Sequence, residues 1–226
     1  VVVSQDLANT YSELHGRDTI YIPNGGPAVK KVAPGATLNR FGLEPGRYVM
    51  FLGRLVPEKD PALALEAFAA LDTDLRLAIV GDSANTDTFT ADLRARAAKD
   101  PRVVMTGYVY GDDLSELLTS AALFVQPSKL EGLPITLLEA AAYELPVVVS
   151  DIPPHLEVVG DSGPGHRVFP VTDAAAFADA MAGELADLDA AKAAARTWSA
   201  EVAAHYDWDL ATQQLLAVYR RAARRP

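Results

Sequence analysis

The chain contains a five-residue apolar run, Tyr48-Val49-Met50-Phe51-Leu52, that ends at Gly53. A helical stretch to Leu71 then opens at Asp60-Pro61, because aspartate is a favoured N-cap and proline suits the first helical position. Continuous apolar strands that alternate with helices predict an α/β, Rossmann-like, doubly wound parallel sheet with helices on both faces. The other predicted strands are residues 75–80, 103–105, 123–125 and 147–150, and the other predicted helices are residues 87–98, 112–120 and the segment after Pro134.

Small residues stand where the predicted strands end: Gly53, Gly81, Gly107 and Ser128. Ligands of such sheets bind at the carboxyl ends of the strands. These positions therefore predict the edge of the sheet at which a binding site lies.

The two ends of the chain differ from this alternating region. Residues 174–225 are rich in alanine and predict a helical tail, whose last helix starts at Asp207-Trp208-Asp209. At the other end, Val1-Val2-Val3-Ser4 indicates a strand already inside a fold, and the absence of a first methionine predicts part of a longer protein. The last helix ends in basic residues, which complement the negative end of a helix dipole: Arg220, Arg221, Arg224 and Arg225.

Composition argues against several classes of protein. The length of 226 residues, half of them apolar, suggests one large domain or a domain with attachments. A net charge of −10 argues against general nucleic-acid binding, which needs clustered Lys and Arg. The chain has no cysteine, which excludes disulfides, thiol catalysis and thiolate metal sites. No apolar run approaches the roughly 20 residues of a membrane span, and the N-terminus lacks the features of a signal peptide.

The most informative segment lies between two glutamates, Glu131 and Glu139. A loop glutamate precedes Gly132-Leu133-Pro134, and a predicted helix that carries the second glutamate then starts. The open N-terminus of that helix offers unpaired N–H groups to a diphosphate, and a carboxylate accepts two hydrogen bonds from the diol of a ribose or sugar. Exposed glutamates are the ordinary alternative, but Glu139 stands among leucines and alanines and should have a partner.

A second segment lies just after the first predicted strand and contains Arg54 and Lys59. Arginine can bind a phosphate through two parallel hydrogen bonds, and lysine adds a point charge. Taken alone, this pair is weak evidence, because loop Arg and Lys residues are more often solvated or salt-bridged.

Together these motifs resemble the C-terminal, donor-binding domain of GT-B glycosyltransferases of family 4, over most of the chain. The resemblance rests on five segments in the family's order: Ile22-Pro23-Asn24-Gly25 at the interdomain entry, Gly53-Arg54 with Lys59, Ile79-Val80-Gly81-Asp82, the pair Glu131-x7-Glu139, and the last helix from Tyr206 to Tyr219.

The resemblance implies a role for each residue. Arg54 and Lys59 would stabilise the leaving diphosphate and Glu131 would bind hydroxyls of the donor sugar, so these three are the candidate catalytic residues. Glu139 would bind the ribose diol, and backbone near Tyr108 and Val109 would contact the base. The remaining donor-binding candidates are Gly53, Gly81, Asp82, Gly132, Leu133, Pro134, Ile135, Thr136 and Leu137.

The implied reaction is hexosyl transfer from a nucleotide-diphosphate sugar, such as a UDP- or GDP-sugar, with retention of anomeric configuration and with no metal or other cofactor. Residues 1–22 would be the remnant of an N-terminal acceptor domain and linker, residues 23–205 the donor domain and residues 206–226 a crossover helix. The missing domain would bind an acceptor glycan, lipid or small molecule. The expected location is the cytoplasm, or the inner face of the membrane by peripheral association of the full-length protein.

The chain departs from the family pattern in two loops. The family's usual Glu-Gly-Phe-Gly-Leu-Pro is here Glu131-Gly132-Leu133-Pro134-Ile135-Thr136, and Gly81-Asp82-Ser83 lacks a second glycine. The spacing of the two glutamates is kept, but the shape of the loop near the sugar is left open.

Other polar motifs are interpreted as structural. None of His15, His155, His166 and His205 is paired at metal-ligand spacing. His155 follows two prolines near the end of a predicted strand, so it could face the cleft, but a capping or surface role is favoured. Asp72-Thr73-Asp74 is predicted to lie in a helix-to-strand turn and Asp207-Trp208-Asp209 to cap a helix. No Gly-x-Ser-x-Gly elbow supports serine catalysis.

Three functions remain open at this point. The first is the donor half of a glycosyltransferase, inactive or weakly active by itself. The second is a non-catalytic nucleotide-sugar binding module or a subunit of a split enzyme, and the third is a nucleotide-sugar epimerase of the same fold. A pure scaffold need not keep Arg54, Lys59, Glu131 and Glu139 together, so these residues favour the first.

Overall fold

The computed structural model describes residues 1–83 and 87–223, apart from the side chain of Asp87. The strands are β1 (Tyr48–Leu52), β2 (Arg76–Val80), β3 (Val103–Gly107), β4 (Leu123–Gln126), β5 (Val147–Ser150) and β6 (His166–Phe169). The helices are α1 (Gln5–His15), α2 (Ala36–Phe41), α3 (Pro61–Ala69), α4 (Asp87–Ala97), α5 (Gly111–Ser120), α6 (Ile135–Ala142), α7 (Pro153–Val159), α8 (Ala174–Leu185), α9 (Leu188–His205) and α10 (Trp208–Ala223), with a 3-10 turn at Pro57–Lys59.

The six strands form one parallel sheet in the order β3-β2-β1-β4-β5-β6. This is the strand order of a doubly wound, Rossmann-like fold. The predicted α/β class and the five predicted strands are confirmed. Strand β6 was missed because its sequence, His166-Arg167-Val168-Phe169, is not a continuous apolar run, and an edge strand does not require one.

The core lies on both faces of the sheet, because successive strand residues point to opposite sides. Tyr48 and Met50 of β1 pack with α5, α6 and α9, whereas Val49 and Phe51 pack with α3, α4 and α8. The Asp60-Pro61 prediction is also confirmed, since the Asp60 carboxylate caps α3 by accepting a hydrogen bond from the Leu63 N–H at 3.4 Å.

The N-terminal prediction was wrong in one respect. Val1–Ser4 forms no extended strand: Val2 makes a single isolated bridge to Tyr21, and α1 follows at once. The Ser4 hydroxyl accepts a hydrogen bond from the Leu7 N–H, and this helix cap ends the extended segment after three residues.

The helical tail is confirmed. Helix α10 begins at Trp208, where the Asp207 carboxylate caps it by accepting a hydrogen bond from the Leu210 N–H at 2.7 Å. Arg220 and Arg221 lie in its last described turn, and Arg224 and Arg225 lie outside the described residues. Of the helices in residues 1–83 and 87–223, none combines the length and the hydropathy that a membrane crossing requires.

Candidate functional site

The site forms where the direction of the sheet reverses, between the neighbouring strands β1 and β4. The chain leaves β1 towards α3 on one face and leaves β4 towards α6 on the other. This divergence opens a crevice outside the carboxyl ends of the two strands, which is where doubly wound sheets bind ligands.

Two loops lining the crevice are fastened to each other. The Lys129 N–H donates to the Glu58 carbonyl at 2.8 Å, and the Lys129 ammonium pairs with Asp60 at 2.7 Å. Asp60 has a left-handed backbone with φ of 45°, which aspartate tolerates better than most residues. The loop after β1 and the loop after β4 therefore form one structural unit.

Lys59 and Glu131 meet across this unit. The Lys59 ammonium donates to the two Glu131 carboxylate oxygens at 2.5 and 2.6 Å. Gln126 Nε2 and Ser128 Oγ donate to Glu131 Oε1 at 2.7 and 2.8 Å. The Glu131 side chain is only 6% exposed. Glu131 is thus a fixed, buried acceptor, and because Oε1 already has three donors, Oε2 is the oxygen with capacity for a further one.

Arg54, in contrast to Glu131, is neither buried nor paired. Its side chain is exposed and makes no hydrogen bond or ion pair with any residue that the structure describes. Its neighbour Gly53 directly follows β1 and donates its N–H to the Val80 carbonyl at 3.0 Å. The guanidinium is therefore free to bind an anion at the strand end.

The N-terminus of α6 supplies further donors. Its N-cap residue, Pro134, has no side-chain hydrogen bond to the helix, and the amides of Gly132, Leu133 and Thr136 have no acceptor in the described part of the chain. Leu133, Pro134 and Leu137 are buried and fix the helix start, whereas Ile135 is exposed. Free amides and the helix dipole make this end suitable for a phosphate.

Glu139 lies one turn further along, on the same face of α6 as Ile135. Within residues 1–83 and 87–223 its carboxylate makes no hydrogen bond or ion pair, so the partner expected from the sequence is not another side chain or backbone group described there. The side chain is half-buried, and this burial raises the pKa of the carboxyl above its usual value. Glu139 is thus an unpaired acceptor beside the α6 N-terminus.

Three glycines bring the ends of β1, β2 and β3 together. Gly81 has φ of 131°, and a side-chain carbon there would lie 1.9 Å from the Gly53 carbonyl oxygen. The Gly81 N–H donates to the Gly107 carbonyl at 2.9 Å. Asp82, the next residue, is paired with Arg94 at 2.8 Å, so its carboxylate is already engaged.

The end of β3 carries an exposed aromatic pair. Tyr108 and Tyr110 are 51% and 71% exposed, and their rings stack with centroids 5.9 Å apart. Val109 between them is buried. The two tyrosine rings thus form an exposed aromatic surface directly after β3.

Sequence reasoning missed the layer beneath Glu131. The predicted surface or capping role of His155 was wrong, because its side chain is fully buried in the first turn of α7. Its position after a buried strand and two prolines was the signal for the less favoured alternative, a side chain that faces the cleft. The predicted helix-capping role of Asp207 is confirmed by the bond to Leu210. The described residues contain no group of three or more His, Cys, Asp or Glu side chains that could hold a metal ion.

The strand order and this crevice define an α/β protein with a candidate ligand site at the reversal point of a Rossmann-like sheet. A family model described as "Glycosyl transferases group 1" matches residues 39–197, and the chain belongs to that family.

Similar proteins agree with this assignment. The chain is 34% identical to D-inositol 3-phosphate glycosyltransferase of Mycolicibacterium paratuberculosis, over 78% of this chain and 40% of that protein. It is 29% identical to alpha-D-kanosaminyltransferase of Streptomyces kanamyceticus, over 80% and 47% respectively. The crystal structure of Anabaena HepE in complex with UDP and glucose shares the fold, with a TM-score of 0.88 at 19% identity over 97% of this chain and 62% of that one. The chain spans about half the length, or less, of these curated relatives.

Proposed function

We propose that this chain is the donor-binding half of a retaining GT-B glycosyltransferase of family 4, which transfers a hexosyl group from a nucleotide-diphosphate sugar. One observation carries the proposal: an exposed arginine, free helix amides and two differently held glutamates follow the carboxyl ends of the adjacent strands β1 and β4. A crevice with both cationic and carboxylate groups suits a ligand that is anionic at one end and rich in hydroxyls elsewhere.

The diphosphate binds to Arg54 and to the amides at the start of α6. Two N–H bonds of Lys59 point to Glu131, and its third remains for a phosphate oxygen. Negative charge grows on the diphosphate as the bond to the sugar breaks, and fixed donors stabilise that charge. These groups supply the positive charge, so the proposal includes no metal or other cofactor.

The rest of the donor lies between the two glutamates. Glu131 Oε2 accepts a hydrogen bond from a sugar hydroxyl, and the unpaired Glu139 carboxylate accepts from the ribose diol. The backbone at Tyr108 and Val109 contacts the base. The HepE crystal structure, in complex with UDP and glucose, supports a nucleotide-sugar as the ligand of this fold.

The acceptor, a glycan, a lipid or a small molecule, binds to a further domain. The shorter span of this chain relative to its curated relatives supports this division. Residues 1–22 then belong to the acceptor domain and linker, residues 23–205 to the donor domain and residues 206–226 to a crossover helix. The reaction takes place in the cytoplasm or at the inner face of the membrane.

A thermal-shift screen of the 226-residue chain against UDP, GDP, ADP and their sugars tests the donor site. We expect one diphosphate to raise the Tm selectively, since a ligand at about 100 times its Kd adds about 2.7 kcal/mol of stability. The Arg54→Ala variant is the matched control and should lose the response. No shift with any nucleotide, even at millimolar concentration, would contradict a working donor site in this chain.

Glu139→Gln should have opposite effects on the free and the bound protein. Because burial raises the carboxyl pKa, the carboxylate opposes folding once the pH rises above the unfolded value, so the neutral amide should raise the Tm slightly at pH 7. Affinity for the free nucleoside diphosphate should fall about tenfold, as expected for a lost charged hydrogen bond. Calorimetry measures the affinity, and an unchanged Kd would remove Glu139 from the ribose site.

A further inference from the structure

A chain of buried hydrogen bonds runs beneath Glu131 from a residue that the proposed mechanism does not use. It begins at His155 and passes through Ser150 and Ser128. All three side chains are fully buried, with 0% exposure. This series of hydrogen bonds runs from α7 to the end of β5 and then to the loop after β4.

The direction of the donors can be assigned. His155 Nδ1 lies 3.0 Å from the Ser150 carbonyl oxygen, which can only accept, so Nδ1 carries the proton. Burial lowers the pKa of His155 to about 4, so at neutral pH this is its only ring proton. Nδ1 also lies 3.0 Å from Ser150 Oγ. That hydroxyl donates in turn to the Ser128 carbonyl at 2.5 Å.

Ser128 is therefore held on two sides. Its carbonyl accepts from Ser150, and its hydroxyl donates to Glu131 Oε1 at 2.8 Å. The last register pair between β4 and β5 is Gln126 with Val149. The hydrogen bond from the Ser150 hydroxyl thus joins β5 to the loop after β4. It lies just beyond the last backbone pair of the two strands, where strand pairing no longer holds the loop in place.

We propose that His155 is a positioning residue for Glu131: through Ser150 and Ser128 it fixes the carboxylate that faces the donor sugar. This inference rests on the proposed function for its substrate but not for its geometry. Two features make His155 suited to the task. The only acceptors near its Nδ1 proton within the described residues are the carbonyl and the hydroxyl of Ser150. Its Nε2 has no hydrogen-bond partner within those residues, so the hydrogen bonds of the ring there are the ones to Ser150.

Three variants of His155 separate positioning from simple packing. Asparagine places an N–H donor near the position of Nδ1, glutamine places its amide near Nε2, and leucine fills the volume with no donor. We expect His155→Asn to retain the hydrogen-bond chain and His155→Leu and His155→Gln to lose it. In the free chain, the ¹³C carboxyl resonance of Glu131 should shift in the Leu and Gln variants and stay in place in the Asn variant.

Glu116 provides the internal control for that spectrum. It is a buried carboxylate held by the N–H groups of Gly35, Thr37 and Leu38, away from this chain of bonds. Its resonance should not move in any variant. If the Glu131 resonance is the same in His155→Leu as in the unmodified protein, while the variant is folded, the positioning role is wrong.

Binding gives the second measurement. We expect His155→Leu to bind UDP, GDP or ADP, whichever the unmodified chain binds, with unchanged Kd, and to lose about tenfold in affinity for the corresponding nucleotide-glucose. Equal losses for both ligands would show a general structural effect and overturn the inference. If the unmodified chain binds none of these nucleotides, the proposed function fails, and the Glu131 resonance still tests His155.

Discussion

Gly81→Ala should lower the free energy of unfolding by about 4 kcal/mol, the largest stability effect expected of a single methyl group in this chain. The added carbon would lie 1.9 Å from the Gly53 carbonyl oxygen. The oxygen belongs to the backbone and the carbon is bonded directly to it, so neither can move away by a side-chain rotation. Relief would require the ends of β1 and β2 to separate. A residue with φ of 131° is also strained for any L side chain. Urea denaturation of the purified chain measures the change, and the Tm should fall by about 10 °C.

Gly111→Ala is the matched control. Gly111 also has a positive φ, of 60°, but a side-chain carbon there would meet no atom within 4 Å. We expect a loss of about 1 kcal/mol, which is the cost of a left-handed alanine alone. If the two variants were equally stable, the close approach of Gly81 to Gly53 would not exist in solution.

Lys59→Met should lower the free energy of unfolding by about 3 kcal/mol, because it leaves the buried Glu131 carboxylate without its counter-charge. The Lys59 and Glu131 side chains are 18% and 6% exposed, so water replaces the lost ammonium only in part. The double variant Lys59→Met/Glu131→Gln removes both charges and should return to within about 1 kcal/mol of the unmodified protein. Chemical denaturation of the unmodified protein, Lys59→Met, Glu131→Gln and the double variant gives the coupling energy between the two side chains.

A lysine-to-methionine substitution at an exposed ion pair is the control for the stability cost expected at Lys59. Lys30 pairs with Asp112 at 2.7 Å, yet both side chains are about two-thirds exposed. Lys30→Met should therefore cost less than about 0.5 kcal/mol. A cost at Lys59 no larger than at Lys30 would mean that the Lys59–Glu131 pair is solvated, and it would remove the basis for a fixed Glu131.

Much of the site was accessible from sequence because it depends on local order along the chain. Glycines and small residues after apolar strands predicted the edge of the sheet at which the candidate site lies, and the spacing of Glu131 and Glu139 placed one in a loop and one in a helix. Sequence spacing could not predict which of these side chains are buried or which of them form ion pairs. Lys59 lies 72 residues from Glu131, and nothing in the intervening sequence indicates that the two form an ion pair.

His155 shows the same limit more sharply. A histidine after two prolines is compatible with a surface position, and its burial depends on where α7 packs against the loop after β4. The absence of a protein partner for Glu139 is likewise a property of the assembled surface. Strand β6 was missed because it begins with His166 and Arg167 and so lacks the continuous apolar run by which the other five strands were identified.

The sequence by itself determined the α/β class, the order along the chain of strands β1 to β5 and of the helices between them, the helix caps at Asp60 and Asp207, and the residues of the candidate site. Each of these follows from propensities and periodicities that act over a few residues. Only the tertiary structure decided the order of strands in the sheet, which puts β1 beside β4 and so brings Arg54, Lys59 and Glu131 to one crevice. It also decided which charges are buried and paired and which are free, because burial and pairing depend on contacts between segments that are distant along the chain.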